Sequence, residues 1–168
     1  MEKKKELPLR LNVGIVLLNN KNKIFIAKRI DLNDGILPNL TNKEKFWQMP
    51  QGGIDINENF IEAAKRELAE ETNVKSVKLI KEVDGWLKYY FPPDLQKKIW
   101  NGKYAGQKQK WFIMRFEGND NEINIKTENP EFLDWKWIQI SKLVDIAIHF
   151  KVHIYKKLVE ELNSLNFN

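Results

Sequence analysis

Between Gly52 and Val74 the chain sets charged and apolar residues at spacings that leave it few ways to fold. From Gly52, five residues lead to Glu58. Seven more lead to Arg66-Glu67-Leu68, one to Glu70-Glu71, and one to Asn73-Val74. Ile61, Ala64 and Leu68 recur at three and four residues, the stripe of an amphipathic helix. Glu67, Glu70 and Glu71 stand at i, i+3 and i+4, so three carboxylates share another face. Asn59 with Glu62 three residues on is a capping-box start, with Asn where Ser or Thr is more usual. The pattern predicts a helix over about 60–72, its glutamates facing outward. Gly52-Gly53 is expected to let a strand turn sharply into that helix.

Three carboxylates on one face repel, and unpaired they are pushed toward protonation. A divalent cation reverses that logic and keeps them ionised. Hard oxygen ligands with no Cys or His beside them favour Mg²⁺ or Mn²⁺. An E-x-x-E-E triplet by itself is more often a solvated acidic face. The whole spacing, however, resembles the Nudix box, G-x5-E-x7-R-E-U-x-E-E-x-G-U with U apolar, and departs from it at one fixed position. That position is Asn73, where the family pattern has Gly. It follows the last helical turn, where a left-handed residue is usual, and Asn tolerates that conformation best after Gly. The departure touches stability and leaves the chemistry alone.

The rest of the chain reads as one α/β domain. With 168 residues it can bury a substantial core. It has no cysteine, which removes disulfides and zinc–thiolate sites and suits a reducing compartment. No apolar run approaches the roughly 20 residues needed to span a bilayer. Met1-Glu-Lys-Lys-Lys is not followed by an apolar signal segment. A cytoplasmic protein without membrane association is the expectation. The net charge of +5 fits phosphate-rich partners, but excess surface lysine is often merely solvated. The four arginines, Arg10, Arg29, Arg66 and Arg115, are more informative singly.

Residues 1–8 read as a flexible arm and 9–163 as the domain. Leu9–Leu18 is a buried strand, joined by the turn 19–22 to a partner strand over 23–30. Residues 31–45 lack any period and read as a long loop. Strands are expected over 46–49, 77–83, 86–91, 109–116, 122–125 and 130–140. A short helix is expected within 94–104, and another from Ser141 to about 146. A last helix over 150–162 would bury Val152, Tyr155, Val159 and Leu162. The six tryptophans are expected to be mostly core. His149 and His153, four apart with no third ligand suggested, read as structural.

Further strings extend the resemblance over about residues 9–160. Asn12-Val13-Gly14-Ile15-Val16, Trp47-Gln48-Met49-Pro50-Gln51-Gly52-Gly53, Gly106-Gln107-Lys108-Gln109-Lys110-Trp111-Phe112, Pro130-Glu131-Phe132, Trp135-Lys136-Trp137 and Phe150-Lys151 look like the bacterial RNA pyrophosphohydrolase and dinucleoside polyphosphate hydrolase group. The resemblance implies a single-domain α/β/α sandwich with a mixed sheet. It implies metal-dependent hydrolysis of diphosphate linkages in 5′-triphosphorylated RNA or dinucleoside polyphosphates, with no obligate protein partner. Glu67, Glu70 and Glu71, with the Gly52 carbonyl, would hold Mg²⁺ or Mn²⁺. Glu131 would ligate metal or act as base, and Glu67 is the first choice for the base. Glu58 and Arg66 would form a bracing ion pair. Arg10, Tyr89, Gln107 and Lys151 would face phosphates or the adjoining nucleotide, and Arg29 and Phe150 would sandwich a base. The plainer readings make Phe150 core, Tyr89 a strand-face aromatic, and Lys108 and Lys110 solvated. A nucleotide-pool or alarmone hydrolase, or a catalytically silent nucleic-acid-binding module, are the competing classes.

Overall fold

The computed structural model describes residues 6–30 and 47–167. The expected loop over 31–45, the start of the strand at Phe46 and most of the N-terminal arm lie outside the described residues.

Strand β1 (Leu9–Leu18) organises the molecule. Its side chains alternate. Val13, Ile15 and Leu17 enter one apolar cluster, and Val16 and Leu18 enter another on the opposite face. A strand buried on both faces reads as a near-continuous apolar run, as this one does from Val13 onward. Strand β7 (Gly106–Phe116) lies parallel to it, from Leu9 opposite Gly106 to Leu18 opposite Arg115. The expected start at Gln109 is corrected to Gly106. On its other edge β7 pairs antiparallel with β5 (Val77–Glu82) and β6 (Leu87–Tyr90).

The other edge of β1 is shared. Near its C-terminal end Leu18 pairs with Ile24 of β2 (Ile24–Arg29), across the expected hairpin. Nearer its start, Asn12 pairs with Gly53 of β4 (Gln51–Gly53), a strand the periodicity did not disclose. The hairpin is splayed. β2 goes on to pair with β3 (Trp47–Gln48) and, along its length, with β8 (Phe132–Ile138). Helix α1 (Phe60–Thr72) covers one face through Ala63, Ala64 and Leu68. Helix α3 (Val152–Ser164) covers the other through Ile154, Tyr155, Leu158 and Leu162. The result is a mixed sheet between helices.

Several expectations need correction. Residues 122–125 are not a strand. Asn119 accepts a bond from the Asn121 N–H and starts a 3₁₀ turn over Asp120–Glu122. The Asn124 N–H then bonds to the Thr72 carbonyl, so this segment docks on the end of α1. The region after Gln139 is two 3₁₀ turns, Ile140–Lys142 and Val144–Ile146, and Ser141 lies inside the first. The segment expected to hold one helix within 94–104 divides into α2 (Pro93–Gln96) and a 3₁₀ turn over Ile99–Gly102. The buried stripe of α3 is rotated from the expected one, leaving Val152 and Val159 as partly buried flanks. Of the tryptophans, Trp111 is fully buried, while Trp100 is 38% exposed. No helix among the described residues is long and apolar enough to cross a membrane.

Candidate active site

The site begins where β4 meets α1. The Asn59 side chain accepts from the Glu62 N–H at 2.9 Å, capping the helix. Asn57, with φ of 64°, makes the turn before it. The glycines do not. Neither Gly52 nor Gly53 has positive φ, and both sit in extended β4. They are needed for room: a Cβ on Gly52 would overlap the carboxyl of Glu67, and one on Gly53 would strike the guanidinium of Arg10. The expected role as a sharp turn is thereby corrected to a close approach.

Arg66 braces this junction. Its Nε and Nη2 each donate to one oxygen of Glu58 at 2.8 Å, a two-pronged pair. Nη2 also donates to the Gly53 carbonyl at 2.9 Å, and Nη1 to Glu67 at 2.9 Å and Glu70 at 3.3 Å. The Arg66 guanidinium holds the Glu58 carboxyl down at about 2, aided by the Asp55 N–H. Glu67 moves the other way: burial raises it, and Arg66 offsets part of the rise. Glu70 is open, its side chain 59% exposed.

Glu71 does not face outward. It is 3% exposed, and among the described residues no N–H or hydroxyl donates to either carboxylate oxygen. Its pKa is pushed well up, first by burial and then by the carboxylates of Glu131 and Glu67, with Arg29 opposing. A buried, unsatisfied carboxylate costs free energy unless something positive reaches it. Among the described residues no three Asp, Glu or His side chains are already closed around one point. The donor set nonetheless fits a hard divalent cation: acceptor-only oxygens, mutual repulsion and no competing protein donor at Glu71.

Beside these carboxylates lies a cleft of about 470 Å³. All six residues expected to touch substrate border it, together with Gly52, Glu67 and Glu131. Strand alternation explains this. Arg10 on β1 and Gln107 on β7 are opposite one another, as are Gln107 and Tyr89 on β6, so the three stand in one row. Arg10 Nη1 donates to Gln107 Oε1 at 3.3 Å, and Gln107 Nε2 donates to the Tyr89 hydroxyl. Tyr89 is buried, which pushes its hydroxyl up to about 12. Lys151 Nζ lies 4.9 Å from the centre of the Tyr89 ring. Phe150 is half-buried and packs against Tyr89 and Phe91, with ring centres 5.7 and 5.9 Å away. Arg29 donates to Gln48 at 3.3 Å. Glu70 and Glu71 open instead on an adjoining groove of about 520 Å³, which also carries Glu128. Glu67 and Glu131 border both spaces.

Sequence reasoning missed Asn12, Gln48, Gln51 and Trp100, all of which border the cleft. Alternation from Arg10 points to Asn12. Nothing in the sequence announces Trp100, which has φ of 47° and carries the Arg10 guanidinium 4.8 Å above its ring. His149 and His153 do not act together: His149 stands edge-on to Phe150, and His153 Nε2 lies 2.6 Å from the Lys88 carbonyl. Lys108 lies over Trp86, and Lys110 pairs with Glu82 at 3.2 Å.

Residues 8–162 match the NUDIX domain model. The chain is 52% identical over 164 residues to the RNA pyrophosphohydrolase of Pelagibacter ubique, covering 98% of each chain. It is 41% identical over 156 residues to that of Rhodospirillum rubrum, covering 93% of this chain and 88% of the relative. Among solved structures, a C. elegans Ap4A hydrolase superposes with a TM-score of 0.61 at 16% identity, over 92% of this chain and 99% of that one, a likeness of fold.

Proposed function

The chain belongs to the NUDIX family, and from that premise we propose that it is a metal-dependent hydrolase of diphosphate linkages, removing pyrophosphate from the 5′ end of triphosphorylated RNA. The identity to RNA pyrophosphohydrolases over nearly the whole chain supports RNA as substrate. Dinucleoside polyphosphates present the same phosphate chain between two nucleosides and are the second substrate class. One observation carries the reading. The buried carboxylate of Glu71, without a donor, sits where an acidic groove and a cleft lined by Arg10, Arg29 and Lys151 share Glu67 and Glu131.

Members of the family generally use divalent metals, and the residues here fit Mg²⁺ or Mn²⁺. Glu67, Glu70, Glu71 and Glu131, with the Gly52 carbonyl, would hold it. When bound, such a cation polarises a phosphoryl oxygen and lowers the pKa of an attacking water. The protein's own groups do the rest. Arg10 and Lys151 neutralise the phosphate chain along the cleft. Arg29 and Phe150 receive a base between a guanidinium and a ring. Arg66 fixes Glu67, the group assigned to take a proton from water. Glu58 fixes Arg66 in turn.

The test is pyrophosphate release from 5′-triphosphorylated RNA, compared by kcat/KM with cleavage of diadenosine tetraphosphate, a damaged nucleoside triphosphate and an alarmone. RNA should lead, and excess chelator should abolish turnover. Full activity in chelator would overturn the metal assignment. RNA binding with no product release would leave a silent binding module. Phe150→Ala should lower kcat/KM on RNA by roughly 5- to 150-fold, the range implied by one base stack. Loss that merely follows a lower Tm would return Phe150 to the aromatic packing around Tyr89.

A further inference from the structure

We propose that Asn12 and Gln51 turn amide N–H groups into the cleft as a neutral donor pair for phosphate oxygens, their orientation fixed from behind by Gln109 and Trp111. The inference rests on the reading above that the cleft takes a polyphosphate chain.

The argument starts from a group with no ambiguity. An indole N–H only donates. Trp111 Nε1 lies 3.1 Å from Gln109 Oε1, so the Gln109 carbonyl is committed to it. The Gln109 amide therefore presents its NH₂ on the other side. There Nε2 donates to Asn12 Oδ1 at 2.8 Å and to Gln51 Oε1 at 2.9 Å. Both hydrogens of that NH₂ are used. Asn12 and Gln51 must then face Gln109 with their carbonyls, and each turns its NH₂ away. Amide orientation is assigned from such networks, and this one has a fixed end.

The two NH₂ groups point to the cleft. Both residues border it and Gln109 does not; Asn12 is as buried as Gln109, and Gln51 is half-buried. Among the described residues neither amide nitrogen donates to a protein acceptor, and neither is a sealed atom without a partner. Their β1–β4 partners are glycines, Gly53 opposite Asn12 and Gly14 opposite Gln51, and the space these leave is taken by the Arg10 guanidinium over Gly53 and the Trp111 ring over Gly14. The Trp111 ring lies over Gly14 and is buried, which holds the fixed end of the network still. Neutrality suits this position: the Arg10 guanidinium already lies over Gly53, opposite Asn12, and an amide N–H adds a donor for a phosphate oxygen without setting a second cation against it.

The decisive variant reverses the polarity from behind. In Gln109→Glu the carboxylate still accepts from Trp111 but has only acceptors for Asn12 and Gln51. Those amides satisfy it by rotating, which turns their carbonyls into the cleft. KM for a 5′-triphosphorylated dinucleotide should rise about 10-fold or more, the worth of a hydrogen bond to a charged group. The kcat should stay within about threefold, because the oxygen is present in both ground and transition states. Gln51→Glu, at a half-buried position, keeps the acceptor for Gln109, loses its own donor and should act in the same direction if the first variant folds poorly. Independently, inorganic triphosphate should shift the side-chain NH₂ signals of Asn12 and Gln51 in ¹⁵N–¹H NMR spectra. KM within twofold of wild type in both variants, or NH₂ signals that do not move, would overturn the proposal. Shifted signals in a wild-type protein that releases no pyrophosphate from RNA would overturn the substrate assignment and uphold the donor pair.

Discussion

Glu58 and Glu71 lie thirteen residues apart in one motif, and the fold treats them in opposite ways. Glu58 receives Nε and Nη2 of Arg66 and a backbone N–H, and its carboxyl is held down at about 2. Glu71, buried at the edge of the adjoining groove, has no donor among the described residues and two carboxylates for neighbours, and its pKa is pushed well up. The first carboxylate is already satisfied by the chain. The second finds no N–H donor among the described residues. A shared residue type and a shared motif therefore split into a brace and a binding group, and the difference between them is the presence or absence of a donor.

The sharpest way to break this comparison is to remove the charge of Glu71 alone. Glu71→Gln should lower kcat by on the order of 10²-fold or more. The same change should raise the Tm of the metal-free protein at pH 8, because it deletes a buried unpaired charge. A drop in metal-free Tm would show that Glu71 is a structural partner after all. The second effect is linkage. Glu71 has a raised folded pKa, so its share of stability is intact below the ordinary value of 4.5 and lost as pH rises through the folded value. Mg²⁺ at a hundredfold excess over its Kd should contribute about 2.7 kcal/mol at pH 8, or roughly 5–10 °C in Tm. The gain should shrink at pH 5, where the carboxyl competes for a proton. Glu58 runs opposite: its contribution is present above about 4.5 and fades as pH falls toward about 2. An equal Mg²⁺ gain at both pH values would remove Glu71 from the cation site.

Smaller effects sharpen the brace. Arg66→Lys keeps a charge but loses the fork that spans Glu58, Gly53 and Glu67. Activity should fall by on the order of 10-fold, as when a ligand's supporting partner is lost, and the acid loss of stability assigned to Glu58 should shift toward higher pH. The smallest concerns the end of α1. Asn73 has φ of 64°, and its side chain donates to the Glu122 carbonyl at 3.1 Å. Asn73→Val should cost about 1 kcal/mol, roughly 2–4 °C in Tm. Asn73→Gly relieves the backbone but gives up the tie to Glu122, and should be near neutral. Equal Tm values for all three proteins would mean the left-handed conformation carries no cost.

Much of the fold was legible because it follows from local periodicity. Ala64 and Leu68 of the α1 stripe, its Asn59 cap and its left-handed end at Asn73 can be written from spacing alone, while Ile61 lies only partly buried and Ala63 joins the core. So can β1, whose alternation puts Arg10 and Asn12 on one face. The strand expected over 122–125 fails because Asn119 capping and docking on Thr72 outweigh the β-prone residues there, and the helix expected from Ser141 divides into two 3₁₀ turns. The amide network was not legible. It joins Asn12, Gln51, Gln109 and Trp111 from three strands, and only the parallel register of β1 with β7 and the antiparallel register of β1 with β4 bring them together. By itself, then, the sequence determined which carboxylates share a helix face, where that helix begins and ends, and the family resemblance. Only the tertiary structure decided that Glu71 is buried with no donor among the described residues, that Gly52 is needed for room beside Glu67, and which way the cleft amides face. The physical reason is range: helix faces and caps depend on neighbours a few residues away, whereas burial and hydrogen-bond donors are set by strands and helices far apart along the chain.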